Sequence, residues 1–184
     1  DSDRLDDAVR ALGAHHGVFS VAALKRYPGA RLVAVEPDPS GIGALRVNLT
    51  LNGLLNRTEI VEAAIAAQEG VGLLTQSREG SWANELAPCG SHEPVEQVRT
   101  LPLNSILAGR RPYFVKCNAE GAEFEAIPQL FAAGCRPLYL ALFIHPAAGD
   151  ADVLLRQVRE AGYAIEPIMS TPDHPRYLCR LQKK

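Results

Sequence analysis

The chain has 184 residues, enough for one domain with a sizeable core and too few for two of ordinary size. Hydrophobic residues make up 47% and charged residues 22%, and a formal net charge of −2 gives no electrostatic reason to expect a polyanion, so nucleic acid is disfavoured as a partner. The longest strongly apolar run, Leu138 to Ile144, falls far short of the roughly 20 residues that span a bilayer, and no basic segment followed by an apolar stretch opens the chain. A cytoplasmic protein without a membrane partner is expected.

Apolar runs rich in Val, Leu and Ile alternate with segments of helical period, the pattern of a parallel sheet covered by helices on both faces. The fold class read from this is α/β, with residues 1–184 as a single domain. Ala8 to Leu12 reads as the first strand, followed by the small-residue turn Gly13-Ala14-His15-His16-Gly17 and a helix from Val18 to Arg26 that Tyr27-Pro28-Gly29 stops. Arg31 to Val35 is a second strand ending at Glu36-Pro37-Asp38-Pro39, and Ser40 to Leu51 a helix that stops at Asn52-Gly53. Thr58 to Glu62 and Val71 to Thr75 read as further strands.

From Gln76 to Glu96 the sequence turns polar and irregular, broken by Gly80, Pro88, Gly90 and Pro94. A loop of this length in a compact domain is usually functional, and it is expected to act as a lid or acceptor loop, with Trp82 as a contact. Regularity resumes at Val98 to Leu101, and Asn104 reads as the N-cap of a helix from Ser105 to Ala108. Tyr113 to Cys117 is a buried strand, Glu120 to Ala133 a helix despite Pro128, and Leu138 to Ile144 a central strand. Asp150 to Ala161 is a helix, and Tyr163 to Ile168 with Tyr177 to Leu181 form a closing antiparallel pair.

Cys89, Cys117, Cys135 and Cys179 include no Cys-x-x-Cys pair and no His at ligand spacing, which predicts free thiols rather than zinc or disulfides. The Asn-x-Thr triplets at Asn48 and Asn56 read as chance occurrences. His15 and His16 are adjacent, but consecutive side chains in a turn diverge, so no metal is expected there.

In open α/β sheets ligands bind where strand ends meet helix starts. The first turn is spaced G-x-x-x-G, whereas a dinucleotide site needs G-x-G-x-x-G to bring backbone against a pyrophosphate, so NAD is disfavoured. Glu36, ending the second strand, is placed to accept hydrogen bonds from both hydroxyls of a ribose. The turn and this acid, one βαβ unit apart, favour an adenosine-containing cofactor.

The series GAHHGVFSVAALKRYPGARLVAVEPDP, LRVNLTLNGL, VEAAIA followed by EG, FVKCNAEGAEFEAI and LALFIHP resembles the FkbM-like family of S-adenosylmethionine-dependent methyltransferases over nearly the whole chain, from about Asp7 to about Tyr163. The resemblance implies a Rossmann-like, seven-stranded sheet with six parallel strands and one antiparallel near the C-terminus. It also implies methyl transfer to an oxygen of a small molecule or sugar. Gly13, Ala14 and Gly17, with His15, would form the turn around the methionine part of S-adenosylmethionine. Glu36, with Pro37, would bind its ribose, and Ala63 and Ala64 would lie near the adenine. Glu120, Gly121 and Glu123 would form the turn beside the reacting centre. Deprotonating a hydroxyl calls for a base of pKa near 7, for which His145 is the first candidate and Glu120 the second. Asn118 and Lys116 complete the candidate catalytic set.

The chain departs from the family where acids are usual: at Ala11, Asn104, Asn118 and Phe143. The alternative expectation is therefore a degenerate methyltransferase fold that binds or scaffolds a protein partner. The sequence also opens directly before its first strand, so helices that cover the cofactor in this family either belong to a segment not present here or leave an open pocket.

Overall fold

Strands that are buried along their whole length divide their side chains between two cores. A computed structural model describes residues 9–75, 86, 95–168, 171 and 175–182. In Val9–Leu12 (β1) and Leu32–Glu36 (β2), Val9, Ala11, Leu32 and Ala34 point to one face and pack with Leu24, Leu45 and Leu49. Leu12, Val33 and Val35 point to the other and join the larger core. Side-chain direction alternates every residue, so each apolar run needs a cover on both sides. Helices Val18–Arg26 (α1) and Pro39–Leu51 (α2) cover the first face. Leu103–Leu107 (α3), Glu123–Ala132 (α4) and Ala151–Glu160 (α5) cover the second.

The remaining main-sheet strands are Thr58–Glu62 (β3), Phe114–Cys117 (β7), Tyr139–Phe143 (β8), Tyr163–Pro167 (β9) and Arg176–Leu181 (β10), and the sheet order is β3-β2-β1-β7-β8-β10-β9. Pairing is parallel from β3 through β8, and β10 runs antiparallel to both of its neighbours, which makes it the one reversed strand of the seven. The closing pair expected at the C-terminus is thus present within the main sheet. A second, three-stranded sheet is formed by Ala64–Ile65 (β4), Gly70–Thr75 (β5) and Val95–Leu101 (β6), in the order β4-β6-β5. The sequence shows parts of β5 and β6 as strands but not that they leave the main sheet. Most of the expected 76–96 loop, Trp82 included, lies outside the described residues, as does Cys89. Its end from Val95 is strand rather than loop.

Two helix starts differ from expectation. α4 begins at Glu123 rather than Glu120, because Glu120 and Gly121 have φ of 46° and 98°, left-handed values that no right-handed helix contains. α3 begins at Leu103, so Asn104 sits inside the helix and is not its N-cap. The first helical N–H, of Leu103, is instead satisfied by Gln129 Oε1 of α4 at 2.7 Å. At α2, Asp38 accepts from the Gly41 N–H at 2.9 Å with Pro39 following it, a cap worth about 1 kcal/mol.

Candidate active site

The strand order turns at β1, whose successors β2 and β3 lie to one side while β7 lies to the other. Such a switch point opens a crevice at the carboxyl ends of the strands. Here the crevice is a cleft of about 440 Å³ into which the ends of β1, β2 and β7 bring Gly13, Glu36 and Glu120.

The first turn is pressed against β7. Asn118 N–H donates to the Leu12 carbonyl at 3.0 Å, extending the ladder past the strand ends. A Cβ on Gly13 would lie 1.7 Å from the Asn118 carbonyl oxygen, and Gly13 has φ of 71°. Glycine is required there on both counts. The amides of Gly13 and Ala14 both donate to the Val35 carbonyl, at 3.0 and 2.9 Å, and that of Gly17 to Ala14. His15 N–H donates to Glu36 Oε2 at 2.6 Å. With these donors engaged internally, the turn lacks the cluster of outward N–H groups that holds a pyrophosphate.

Of the expected cofactor residues, Gly13, His15, Glu36, Pro37, Ala63 and Ala64 line the cleft. Ala14 and Gly17 do not. Ala14 belongs to the core beneath the turn, and Gly17, with φ of 80°, lets the start of α1 pack on α2, where a Cβ would meet the Leu45 side chain at 2.4 Å. Glu36 is 6% exposed, and its two oxygens accept from the His15 and Asp38 amides, the latter at 3.0 Å. Burial pushes its carboxyl up, against the pull of those two hydrogen bonds. Each oxygen keeps a lone pair for a further donor.

Of the expected catalytic residues, Asn118 and Glu120 line the cleft. His145 stands behind Glu120, its Nε2 3.2 Å from Glu120 Oε2 and its Nδ1 2.9 Å from Glu123 Oε1. Glu123 is fully buried and also accepts from the backbone N–H groups of His145, at 2.7 Å, and Gly121, at 3.0 Å. Burial draws the imidazole down, but hydrogen bonds to Glu120 and Glu123 and their charges outweigh it and lift His145 to about 9. Held between two carboxylates, the ring favours its protonated form, which weighs against His145 as a general base in this geometry.

Lys116 is buried on β7, beside Ala11 on β1, and donates to the Gly13 carbonyl. Burial lowers it to about 8, against the opposing pull of the Glu36 and Glu120 carboxylates. The Phe143 ring lies 5.9 Å from its ammonium and 5.3 Å from the Arg176 guanidinium, so an aromatic face meets two cations where the family usually has a carboxylate.

The sequence does not reveal the far wall of the cleft, formed by Ile65, Ala66, Ala67, Leu74 and Leu86, or the contribution of Glu125. Alanines and leucines carry no functional signal, and Leu74 and Leu86 reach the cleft only through the second sheet and its bridge. Among the described residues no group of His, Cys, Asp and Glu could hold a metal ion, and no helix is long and apolar enough to cross a membrane.

A search among curated proteins gave no significant match. Among solved structures the chain resembles the methyltransferase FkbM from Methylobacillus flagellatus at 19% identity and a TM-score of 0.65, with 94% of this chain and 43% of that one aligned. It resembles the precorrin-6y C5,15-methyltransferase from Geobacter metallireducens at 16% identity and 0.57, covering 99% and 85%. A human methyltransferase 10 domain containing protein matches at 13% identity and 0.57, covering 100% and 76%. The chain thus spans less than half the length of the FkbM structure, and likeness at these identities shows the fold. The family model of the methyltransferase FkbM domain matches residues 12–165, the stretch from the end of β1 into β9 that builds the cleft, and the chain belongs to this family.

Proposed function

We propose that the protein transfers a methyl group from S-adenosylmethionine to a hydroxyl of a small molecule or sugar. The observation that carries this reading is the convergence of Gly13, Glu36 and Glu120 on one cleft at the switch point of the sheet. The residues present suit the cofactor: Glu36 offers two oxygens toward ribose hydroxyls, and the alanine-rich wall from Ala63 to Ala67 suits a flat apolar base. When bound, S-adenosylmethionine supplies an electrophilic methyl group on a sulfonium sulfur.

The chain's own residues have two tasks. The Gly13 turn and Glu36 fix one reactant relative to the end of β7, which lowers the entropic part of the barrier. Glu120, in the cleft, would accept the proton of the acceptor's hydroxyl. His145, paired with both Glu120 and Glu123, keeps the Glu120 carboxylate oriented in the cleft. Asn118 supplies an amide that positions the acceptor without adding charge.

The reading as a binding or scaffolding subunit rests on Ala11, Asn118 and Phe143, yet Glu120, His145 and Glu123 remain in one connected arrangement and Glu36 lines the same cleft as Glu120. The three buried thiols Cys117, Cys135 and Cys179 suit a reducing compartment, which supports placement in the cytoplasm. Calorimetric titration with S-adenosylmethionine and S-adenosylhomocysteine tests the cofactor, and transfer of labelled methyl to a panel of hydroxyl acceptors tests the reaction. Micromolar binding and labelled product are expected. Absence of binding at millimolar ligand overturns the proposal.

A further inference from the structure

A second cavity lies at the other end of the sheet. The cofactor cleft sits at the carboxyl ends of the strands, whereas this pocket of about 180 Å³ opens at the amino ends of β2 and β3, with Arg31, Arg57, Glu59 and Arg110 in its lining. It falls below the roughly 300 Å³ at which sites for whole drug-sized ligands begin, so it suits a single small group. The chain's net charge of −2 conceals a local excess here: three guanidinium groups face one carboxylate, a net charge of +2.

Each arginine arrives by a different route. Arg57 closes the 3-10 turn Leu55–Arg57 before β3 and is held by main-chain carbonyls: Nε and Nη2 donate to Ala30 at 3.0 and 2.7 Å, Nη2 also to Tyr27 at 2.7 Å, and Nη1 to Leu24 at 3.2 Å. These bonds fix the guanidinium at the end of α1, whose helix dipole offsets about half a charge but supplies no carboxylate. Arg110, after α3, pairs with Glu59 at 2.8 Å; that bond holds the Glu59 carboxyl below its ordinary range, against its burial, and Arg10 adds to the pull. Arg31, directly before β2, is exposed and has neither a hydrogen bond nor an ion pair among the described residues. The one carboxylate of the pocket is thus taken by Arg110, and no acid of the pocket answers Arg31 or Arg57.

Guanidinium groups gathered in one pocket repel one another, and an anion that bridges them relieves the repulsion. Each presents its N–H groups in a planar fork that fits two oxygens of an oxyanion, and the excess of positive charge favours a dianion over a carboxylate. We propose that this pocket binds a phosphoryl group, with Arg31 as the capturing residue and Arg57 as a fixed second cation. The pocket is separate from the cofactor cleft, and the inference stands without the cofactor reading.

The test is titration of the chain with inorganic phosphate, glucose 6-phosphate and acetate at a constant ionic strength of about 0.1 M, followed by the arginine Nε–H signals in NMR spectra. Phosphate is expected to bind with a Kd of about 1 mM and acetate at least about 10-fold more weakly. Tighter binding of glucose 6-phosphate marks the ligand as a phosphomonoester, and tighter binding of phosphate itself marks the inorganic ion. R31Q should weaken binding about 10-fold, and E59Q, which removes the competing carboxylate, should tighten it. R99Q takes the same charge from an exposed ion pair on the second sheet and should leave binding unchanged, with thermal unfolding to confirm that each variant is folded. Equal losses in R31Q and R99Q would mean diffuse attraction and overturn the site. Acetate binding as tightly as phosphate, or Arg31 and Arg57 signals that stay still at ten times the expected Kd, would overturn it as well.

Discussion

Glu123 grips His145 at two points with a single oxygen: Oε1 accepts the His145 backbone N–H at 2.7 Å and faces ring Nδ1 at 2.9 Å. Its second oxygen takes the Gly121 N–H, so the buried carboxylate fixes both the end of β8 and the left-handed turn that presents Glu120. Removing one partner of a buried pair strands the other, and Glu123→Ala is expected to cost about 3–5 kcal/mol in urea unfolding. Glu123→Gln keeps the shape but turns an NH2 toward a donor. It should cost less than the alanine variant and lower the His145 titration midpoint, which is read by NMR of the ring protons.

Stability should vary with pH in two opposed windows. His145 is raised to about 9 from an ordinary 6.5, so its pairing contributes fully below about 6.5 and is lost as pH rises through 9. Lys116 is lowered to about 8 from an ordinary 10.5, so between these values the unfolded chain holds the extra proton and stability rises with pH. Urea unfolding from about pH 6 upward should show a fall that flattens once Lys116 begins to discharge. His145→Gln is expected to remove the fall and Lys116→Met the flattening; a wild-type stability that stays level between about pH 6.5 and 8 would contradict the His145 assignment.

Two glycines with similar backbone angles should respond differently to alanine. Gly53 has φ of 67° and nothing within 4 Å of where a Cβ would sit, so Gly53→Ala carries only the left-handed penalty of about 1–2 kcal/mol. Gly13→Ala adds a clash with the Asn118 carbonyl at 1.7 Å, where two strand ends meet and neither can retreat. A loss above about 4 kcal/mol, or failure to fold, is expected and is read by comparing the two unfolding curves.

Glu36→Ala should remove cofactor binding by at least about 100-fold and also lower stability by about 1–3 kcal/mol, because the His15 and Asp38 amides lose their acceptor. Glu36→Asp retains the charge but not the reach, and is expected to fall between the two. Affinity for S-adenosylhomocysteine that is unchanged in Glu36→Ala would remove the ribose role.

What is legible in the sequence follows from how locally each feature is determined. β1, β2 and β7 can be read because a strand buried on both faces is a continuous apolar run, and Gly13 and Glu36 because they punctuate those runs. The start of α4 is not legible because Glu120 looks like an ordinary first-turn acid, and only the fold sets its φ at 46°. The pairing of His145 with two carboxylates is equally hidden. An imidazole at a strand end is a plausible base until Glu120 and Glu123, over 20 residues earlier in the chain, are seen on its two nitrogens. Of the alanine wall, Ala63 and Ala64 are placed only by the family resemblance, and Ala66 and Ala67 give no signal because an alanine side chain carries no polar group to read.

The reaction role of Glu120 can be separated from binding. Its carboxylate lines the cleft while His145 Nε2 holds one oxygen at 3.2 Å, and its charge is felt by His15 of the first turn, so binding and turnover are measured side by side. Glu120→Gln preserves size and can still accept from His145, but cannot take a proton. Turnover on a hydroxyl acceptor is expected to fall by about 100- to 10,000-fold, the range for loss of a general base, with S-adenosylhomocysteine affinity within a few fold of wild type. His145→Gln should fall less, since it removes the orienting partner and leaves the base. If Glu120→Gln turns over normally while His145→Gln does not, the proton passes to a group other than Glu120, and the order of the two residues in the mechanism is reversed.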